Sequence, residues 1–256
     1  MNQTSFRTRC SSPASRSIKM RILIVDQCSS AKKGTDRSDS IDRESISTES
    51  RGDLIEKDGV ASYRAEDLYQ GRQQQRITEA KRLLKRAGDD VDRVFISAGF
   101  GVVDSEEELP LYDVTFADMS AEEIDSRAED LEIYENLRER IIGANYDVVF
   151  FALGSDYYRS AKLGELLPDV SNETFVVFFN QEEFEAEYDN GISIAARTPQ
   201  AKASGTIVIA LKGEYLHNFA THREAGHEVK SIDDIKAYCK DEAASQAGIS
   251  DYSSNS

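Results

Sequence analysis

Four short apolar runs, each ending in a polar turn, constrain this chain more than any other feature. They are Met20 to Gln27 (MRILIVDQ), Asp92 to Ser97 (DRVFIS), Asn145 to Leu153 (NYDVVFFAL) and Glu173 to Phe179 (ETFVVFF). Near-continuous Ile, Val, Leu and Phe describe strands covered on both faces, as in a parallel sheet packed between helices. Helical spacing fills the intervals. After Gly71, residues Ile77, Ala80, Leu83, Leu84 and Ala87 recur every three or four positions. From Ser120 to Ile142, Ile124, Ala128, Leu131, Tyr134, Leu137 and Ile141 do the same. Ser120 with Glu123 forms a capping box at the start of that helix, and Gly143 stops it.

The alternation predicts an α/β fold: a mixed, mainly parallel central sheet flanked by helices, with a cleft at the strand ends. Gly191 to Ala196 reads as a short edge strand and Gly205 to Leu211 (GTIVIAL) as the last strand. Two helices follow, one with Leu216, Phe219 and Ala220 inward and one capped by Ser231. A single domain over residues 20–240 is expected. Residues 1–19 read as an extension or a misplaced start, and residues 241–256 as a frayed tail. Residues 34–60, rich in Ser, Asp and Arg, read as a flexible insertion with little to bury.

Charge limits the partners. Thirty-one basic residues face 47 acidic ones, a net −16, so most of the surface repels a phosphate backbone. Over residues 100–189 the imbalance reaches 24 acidic to 5 basic, which places any polyanion on the other side of the molecule. The one locally positive element holds Arg64, Arg72, Arg76, Lys81, Arg82, Lys85 and Arg86 against Glu66, Asp67 and Glu79. It reads either as a nucleic-acid footprint or as the outward face of a surface helix. Three widely spaced cysteines, Cys10, Cys28 and Cys239, predict a reducing, cytoplasmic setting. No run is long enough to span a bilayer. His217, His222 and His227 step by five, which does not align them on one helical face, and no spacing predicts a metal or cofactor site.

Candidate site residues stand where the strands end, since open α/β sheets bind ligands beyond their carboxyl edge. After the first strand come Cys28, Ser29, Lys32 and Lys33, a small-residue loop suited to an anion, or an ordinary solvated turn. After the second come Ser97, Gly99 and Gly101, whose glycines bring backbone N–H groups close to whatever lies in front. Tyr112 and Asp113 follow on an extended segment beyond Pro110, either orienting a substrate or forming a structural turn. After the third strand come Gly154, Asp156, Tyr157 and Arg159, able to supply an acid or base, a stacking ring and a phosphate ligand. Lys212 ends the last expected strand.

The Cys-Ser, Lys-rich loop, then Asp67-Leu68-Tyr69-Gln70-Gly71, Ser97-Ala98-Gly99-Phe100-Gly101, Leu111-Tyr112-Asp113 and Gly154-Ser155-Asp156-Tyr157-Tyr158 together resemble the family of uncharacterised domains grouped with the peroxide stress protein YaaA. The likeness runs, with gaps, over residues 20–215, and it brings Tyr69 into the candidate set. It implies a mixed α/β fold with a cleft and a role in protecting or processing DNA or nucleotides. Phe100 stands where a basic or histidine residue is common in such turns. The leading expectation is a protein that binds a nucleotide or nucleic-acid component and acts on a base or glycosidic bond. In it Asp113 or Asp156 is catalytic, Tyr112 or Tyr157 stacks on the base, and Lys32, Lys33, Arg159 or Lys212 holds phosphate. A non-enzymatic DNA-binding stress protein and an acidic protein-binding module are the alternatives.

Overall fold

A computed structural model describes residues 18–34 and 40–242. The expectations for most of residues 1–19, for nearly all of the tail and for residues 35–39 lie outside that range. The chain runs β1 (Arg21–Gln27), α1 (Arg43–Thr48), α2 (Arg51–Ile55), β2 (Ser62–Arg64), α3 (Ala65–Leu68), α4 (Arg72–Ala87), β3 (Asp90–Ser97), β4 (Gly101–Asp104) and β5 (Glu108–Pro110). It continues with α5 (Ala121–Asp130), α6 (Ile133–Ile142), β6 (Val148–Phe151), α7 (Ser155–Ser160), α8 (Leu163–Leu166), β7 (Phe175–Phe179), α9 (Glu182–Glu187), β8 (Gly191–Ile194), α10 (Thr198–Ala203), α11 (Val208–Glu224) and α12 (Ile232–Lys240).

Six strands form the main sheet in the order β4-β3-β1-β6-β7-β8. All neighbours are parallel except the β3–β4 hairpin, so the expected mixed, mainly parallel sheet is present. Strand β1 is central, and Ile22 to Val25 are fully buried between two helical layers. Ile22 and Ile24 face a core shared with Ile77, Leu84, Phe150 and Phe219, under α4, α11 and α12. Leu23 and Val25 face the opposite core with Ile124, Leu137, Phe151 and Phe178, under α5 to α9. From β1 the chain moves to β3 on one side and later to β6 on the other. The order therefore switches between β1 and β6, the crevice where such sheets bind ligands.

Three local expectations are corrected. Gly205 to Leu211 is not a strand, because α11 begins at Val208. Leu211, Tyr215, Leu216, Phe219 and Ala220 share one buried helical face, and packing that face on the sheet overrides the β-branched bias of Thr206 to Ile209. The expected helix from Ser120 to Ile142 is two: Glu132 adopts a left-handed φ of 50° between α5 and α6. The 34–60 insertion is ordered beyond residue 40. Asp42 caps α1 and Ser50 caps α2, while Ile41 and Leu54 are buried in the core. Two apolar anchors and two side-chain caps supply what the polar composition hides.

Asp26, the last charged residue of β1, is fully buried. Its Oδ2 accepts from Arg93 Nη2 at 2.6 Å, and its Oδ1 accepts from Gln73 Nε2 at 2.8 Å and Gln74 Nε2 at 3.2 Å. Arg93 is itself 1% exposed. Removing one member of such a pair strands the other charge, at a cost of about 3–5 kcal/mol, whereas replacing both with apolar side chains is far less harmful. Arg93→Met should therefore lower urea-unfolding stability by about 3–5 kcal/mol, and the double change Asp26→Leu, Arg93→Met should recover most of that loss.

Candidate functional site

The loop after β1 is stitched to the segment leading into α4. Lys33 N donates to Leu68 O at 2.7 Å, and Gln70 N donates to Ala31 O at 2.8 Å. Lys32 and Tyr69 form an isolated bridge. Ser29 Oγ accepts from Gly71 N at 3.3 Å, so Ser29 lies against the amino end of α4. A similar bridge joins Ile41 to Tyr112. These pairings bring Cys28, Tyr69, Ser97, Tyr112 and Tyr157 together beyond the carboxyl edge.

Their polar atoms form a buried chain. Tyr69 Oη lies 2.7 Å from Tyr112 Oη, which lies 2.8 Å from Ser97 Oγ. Ser97 Oγ accepts from the N–H groups of Gly99 and Phe100 at 3.2 and 3.1 Å. Beside it, Cys28 Sγ is 2.9 Å from Tyr157 Oη. Lys32 Nζ stands 4.4 Å from the centroid of the Tyr112 ring, and Phe100 meets that ring edge-on at 5.1 Å. Burial, and next the neighbouring Cys28, raises the phenols of Tyr69, Tyr112 and Tyr157 well above their ordinary range. They are neutral hydrogen-bonding groups, not phenolate bases.

Gly99 is required here because a Cβ would lie 2.9 Å from the Tyr112 ring. Gly101, at φ 72°, answers to a different neighbour: its Cβ would meet Leu131 O at 2.8 Å, so it serves the β3–β4 turn. Arg127 braces that turn by donating to Ala98 O and Gly99 O at 3.0 and 3.1 Å.

The switch point between β1 and β6 adjoins this chain. Gln27 Oε1 accepts from Gly154 N, which ties the end of β1 to the start of α7. Lys212 lies on α11, not at a strand end, yet its half-buried ammonium donates to Leu153 O just past β6. Asp156 stands half-exposed in the first turn of α7, next to Ser155, whose Oγ is 3.4 Å away. Asp113 is exposed, and its N–H donates to Ile41 O at 3.2 Å.

Some expected members sit elsewhere or are already engaged. Arg159 is exposed and pairs with Asp125 of α5, its Nε 2.7 Å from Oδ1. Lys33 is exposed and lies 4.7 Å from the Tyr63 ring centroid. Tyr112 and Tyr157 are 1% and 6% exposed, so a base stacking on either ring must first displace a packed side chain. The cations of α4 are partly spent on carboxylates: Arg76 on Glu214, Lys81 on Glu66 and Arg86 on Glu224. Sequence reasoning missed Asp26, Gln27, Gln73, Gln74, Arg93 and Arg127. The signal for Asp26 and Arg93 was there in charges interrupting apolar runs, and for Gln73 and Gln74 in a triple glutamine opening a helix.

Among the described residues, no group of three His, Cys, Asp or Glu side chains is arranged to hold a metal ion, and no helix is long and apolar enough to cross a membrane. Comparison with protein-family models, with curated proteins and with solved structures yields no match.

Burial lowers the pKa of Lys212 to about 8, with nearby Asp26 acting the other way. The unfolded lysine titrates near 10.4, so between about pH 8 and 10 the unfolded chain holds more protons and folding stability rises with pH. Below pH 8 both states are charged and the desolvation cost is borne in full. Denaturant midpoints taken from pH 7.5 to 9.5 should show this rise as the difference between the wild type and Lys212→Met. A difference that stays flat across the interval would contradict it.

Proposed function

We propose that this protein binds a nucleotide or nucleic-acid component in the crevice between the ends of β1 and β6 and acts on its base or glycosidic bond. The observation that carries this reading is convergence. Segments 28–33, 69–71, 97–101, 112 and 154–157, far apart in the chain, meet at the edge where the strand order switches. The resemblance to the YaaA-grouped domains rests on those same segments, and it supports the ligand class.

In this reading the Lys212 ammonium, set against a backbone carbonyl at the crevice floor, and the Ser29 loop hold the phosphate. Gln27 and the backbone of Gly154 position the sugar. Asp156, in the first turn of α7, is the general acid or base. The buried Tyr69–Tyr112–Ser97 chain fixes the loops; its neutral hydroxyls leave the proton traffic to Asp156.

The test is a binding and turnover panel of nucleosides, mononucleotides and oligonucleotides, followed by calorimetry and by chromatography of released base. Lys212→Ala should weaken binding by about tenfold, the loss of one charge-assisted contact of about 1.4 kcal/mol. Asp156→Asn should keep binding and lose turnover. The reading fails if no member of the panel binds, or if Lys212→Ala binds as the wild type does.

A further inference from the structure

Four lysine and arginine side chains are buried among the described residues: Lys81, Arg93, Arg127 and Arg223. Three of them meet a carboxylate. Lys81 Nζ lies 2.9 Å from Glu66, Arg93 Nη2 2.6 Å from Asp26, and Arg223 Nη2 2.7 Å from Asp89. Arg127 bonds to none, although it stands in the most acidic part of the chain, where 24 acidic residues outnumber 5 basic ones over residues 100–189. The rest of those basic residues, Arg138, Arg140, Arg159 and Lys162, are paired with Asp169, Asp104, Asp125 and Glu129. A buried charge without a counter-charge is costly, so one that persists where acids abound calls for an explanation.

The neighbours of Arg127 locate that charge. Its guanidinium donates to Ala98 O, Gly99 O and Ser47 Oγ at 3.0, 3.1 and 3.2 Å. Ala98 and Gly99 directly follow β3, so the charge lies at the carboxyl edge of the sheet. Ser47 belongs to α1, and Arg43 stands one turn before it on the same face. Both are exposed, which puts the Ser47 end of the guanidinium near solvent, in the seam between α1 and α5. Glu123, which faces this seam one turn before Arg127, is already committed: its Oε2 accepts from Ser120 N in the capping box, and Arg43 stands 3.8 Å from its Oε1. Burial, and next the neighbouring Arg43, lowers the pKa of Arg127 from its ordinary value, with Asp130 acting the other way. The two carbonyl bonds brace the turn, but a neutral amide would donate to them without the cost of a buried charge, and three bonds do not exhaust the donors of a guanidinium.

We infer that the α1–α5 seam is an anion site, in which a phosphate group takes the place of the missing carboxylate between Arg127, Ser47 and Arg43. The inference stands apart from the nucleotide reading given above. An oxyanion matches the fork of the Arg127 guanidinium. The Ser47 hydroxyl, which donates to Arg43 O at 2.9 Å, turns to donate to the ligand instead. Arg43 adds a second cation and so favours a phosphate monoester, with a charge of about −1.5 to −2, over a carboxylate. The net charge of −16 repels an extended polyanion, which restricts the occupant to a small phosphate, either free or carried by a mononucleotide.

Calorimetric titration of the full chain with inorganic phosphate, paired with thermal melts in phosphate and in chloride of equal ionic strength, tests the site. The chloride arm is needed because salt of any kind screens the self-repulsion of so acidic a chain. Phosphate should bind saturably and raise the melting temperature beyond what chloride does. Arg127→Gln should weaken phosphate binding by about tenfold, the usual loss for one charge-assisted contact, and Arg43→Gln by about threefold. Arg43 is exposed, so its variant keeps the test intact should Arg127→Gln fail to fold. Phosphate that competes with a mononucleotide marks the seam as the site of the nucleotide's own phosphate, and phosphate that binds beside it marks a site for the free ion; either result supports the seam. The inference is overturned if phosphate stabilises no more than chloride, or if either variant binds phosphate as the wild type does. It is overturned equally if Arg127→Gln melts lower by the same margin with and without phosphate, since a mere brace for the turn would behave that way.

Discussion

Asp26 carries a negative charge to the end of the central strand, where water does not reach it. Leaving that carboxylate buried without its partner would cost about 3–5 kcal/mol, a large part of a domain's total stability. The neighbouring residues follow from that constraint. Arg93 on β3 supplies the counter-charge, and its guanidinium also donates to Thr78 Oγ1 and Gln74 O. Gln73 and Gln74 supply the remaining donors and at the same time bond to Ala152 O and Gln27 O. One carboxylate thus fixes the distances between β1, β3, the end of β6 and the first turn of α4.

The switch point between β1 and β6 is tied to that network. Gln27 is the next residue along β1, and its side chain holds Gly154 at the start of α7. Burial lowers the pKa of Lys212, and the nearby Asp26 charge acts the other way. On the opposite face of the sheet, the hydroxyls of Tyr69, Tyr112 and Ser97 satisfy one another. Buried polar groups of this kind specify a single arrangement when every member has a partner. The loops that carry the candidate residues are therefore anchored from both faces.

Much of this was legible in the residues alone. The apolar runs at Ile22, Val94, Val148 and Val176 gave the parallel strands because burial on both faces leaves no polar alternation to misread. Ser120 with Glu123 marked a helix start because capping is local chemistry, and both reciprocal bonds are present. Thr206 to Leu211 misled because β-branched side chains favour strands when only neighbours in sequence are considered. The deciding term, Leu211 to Ala220 packing on the sheet, is tertiary. The gathering of Cys28, Tyr69, Ser97, Tyr112 and Tyr157 could be expected from strand ends in a parallel sheet. Their burial could not, because exposure depends on how the segments carrying Ile41 and Leu54 fold over them. The ion pair of Arg159 was hidden for a similar reason: nothing in its own segment reveals Asp125, 34 residues earlier.

Gly213 makes the architecture sensitive at one point far from any charge. Its missing methyl lets α11 lie against the backbone of α4 at Gln73, and Gln73 is bonded to Asp26. Lys212 is the adjoining residue. A side chain at position 213 would act as a shim, tilting the rod that carries the amine and moving its tip relative to the ends of β1 and β6. Adjusting the bulk at that joint would retune the gap between amine and sheet while leaving every polar residue in place.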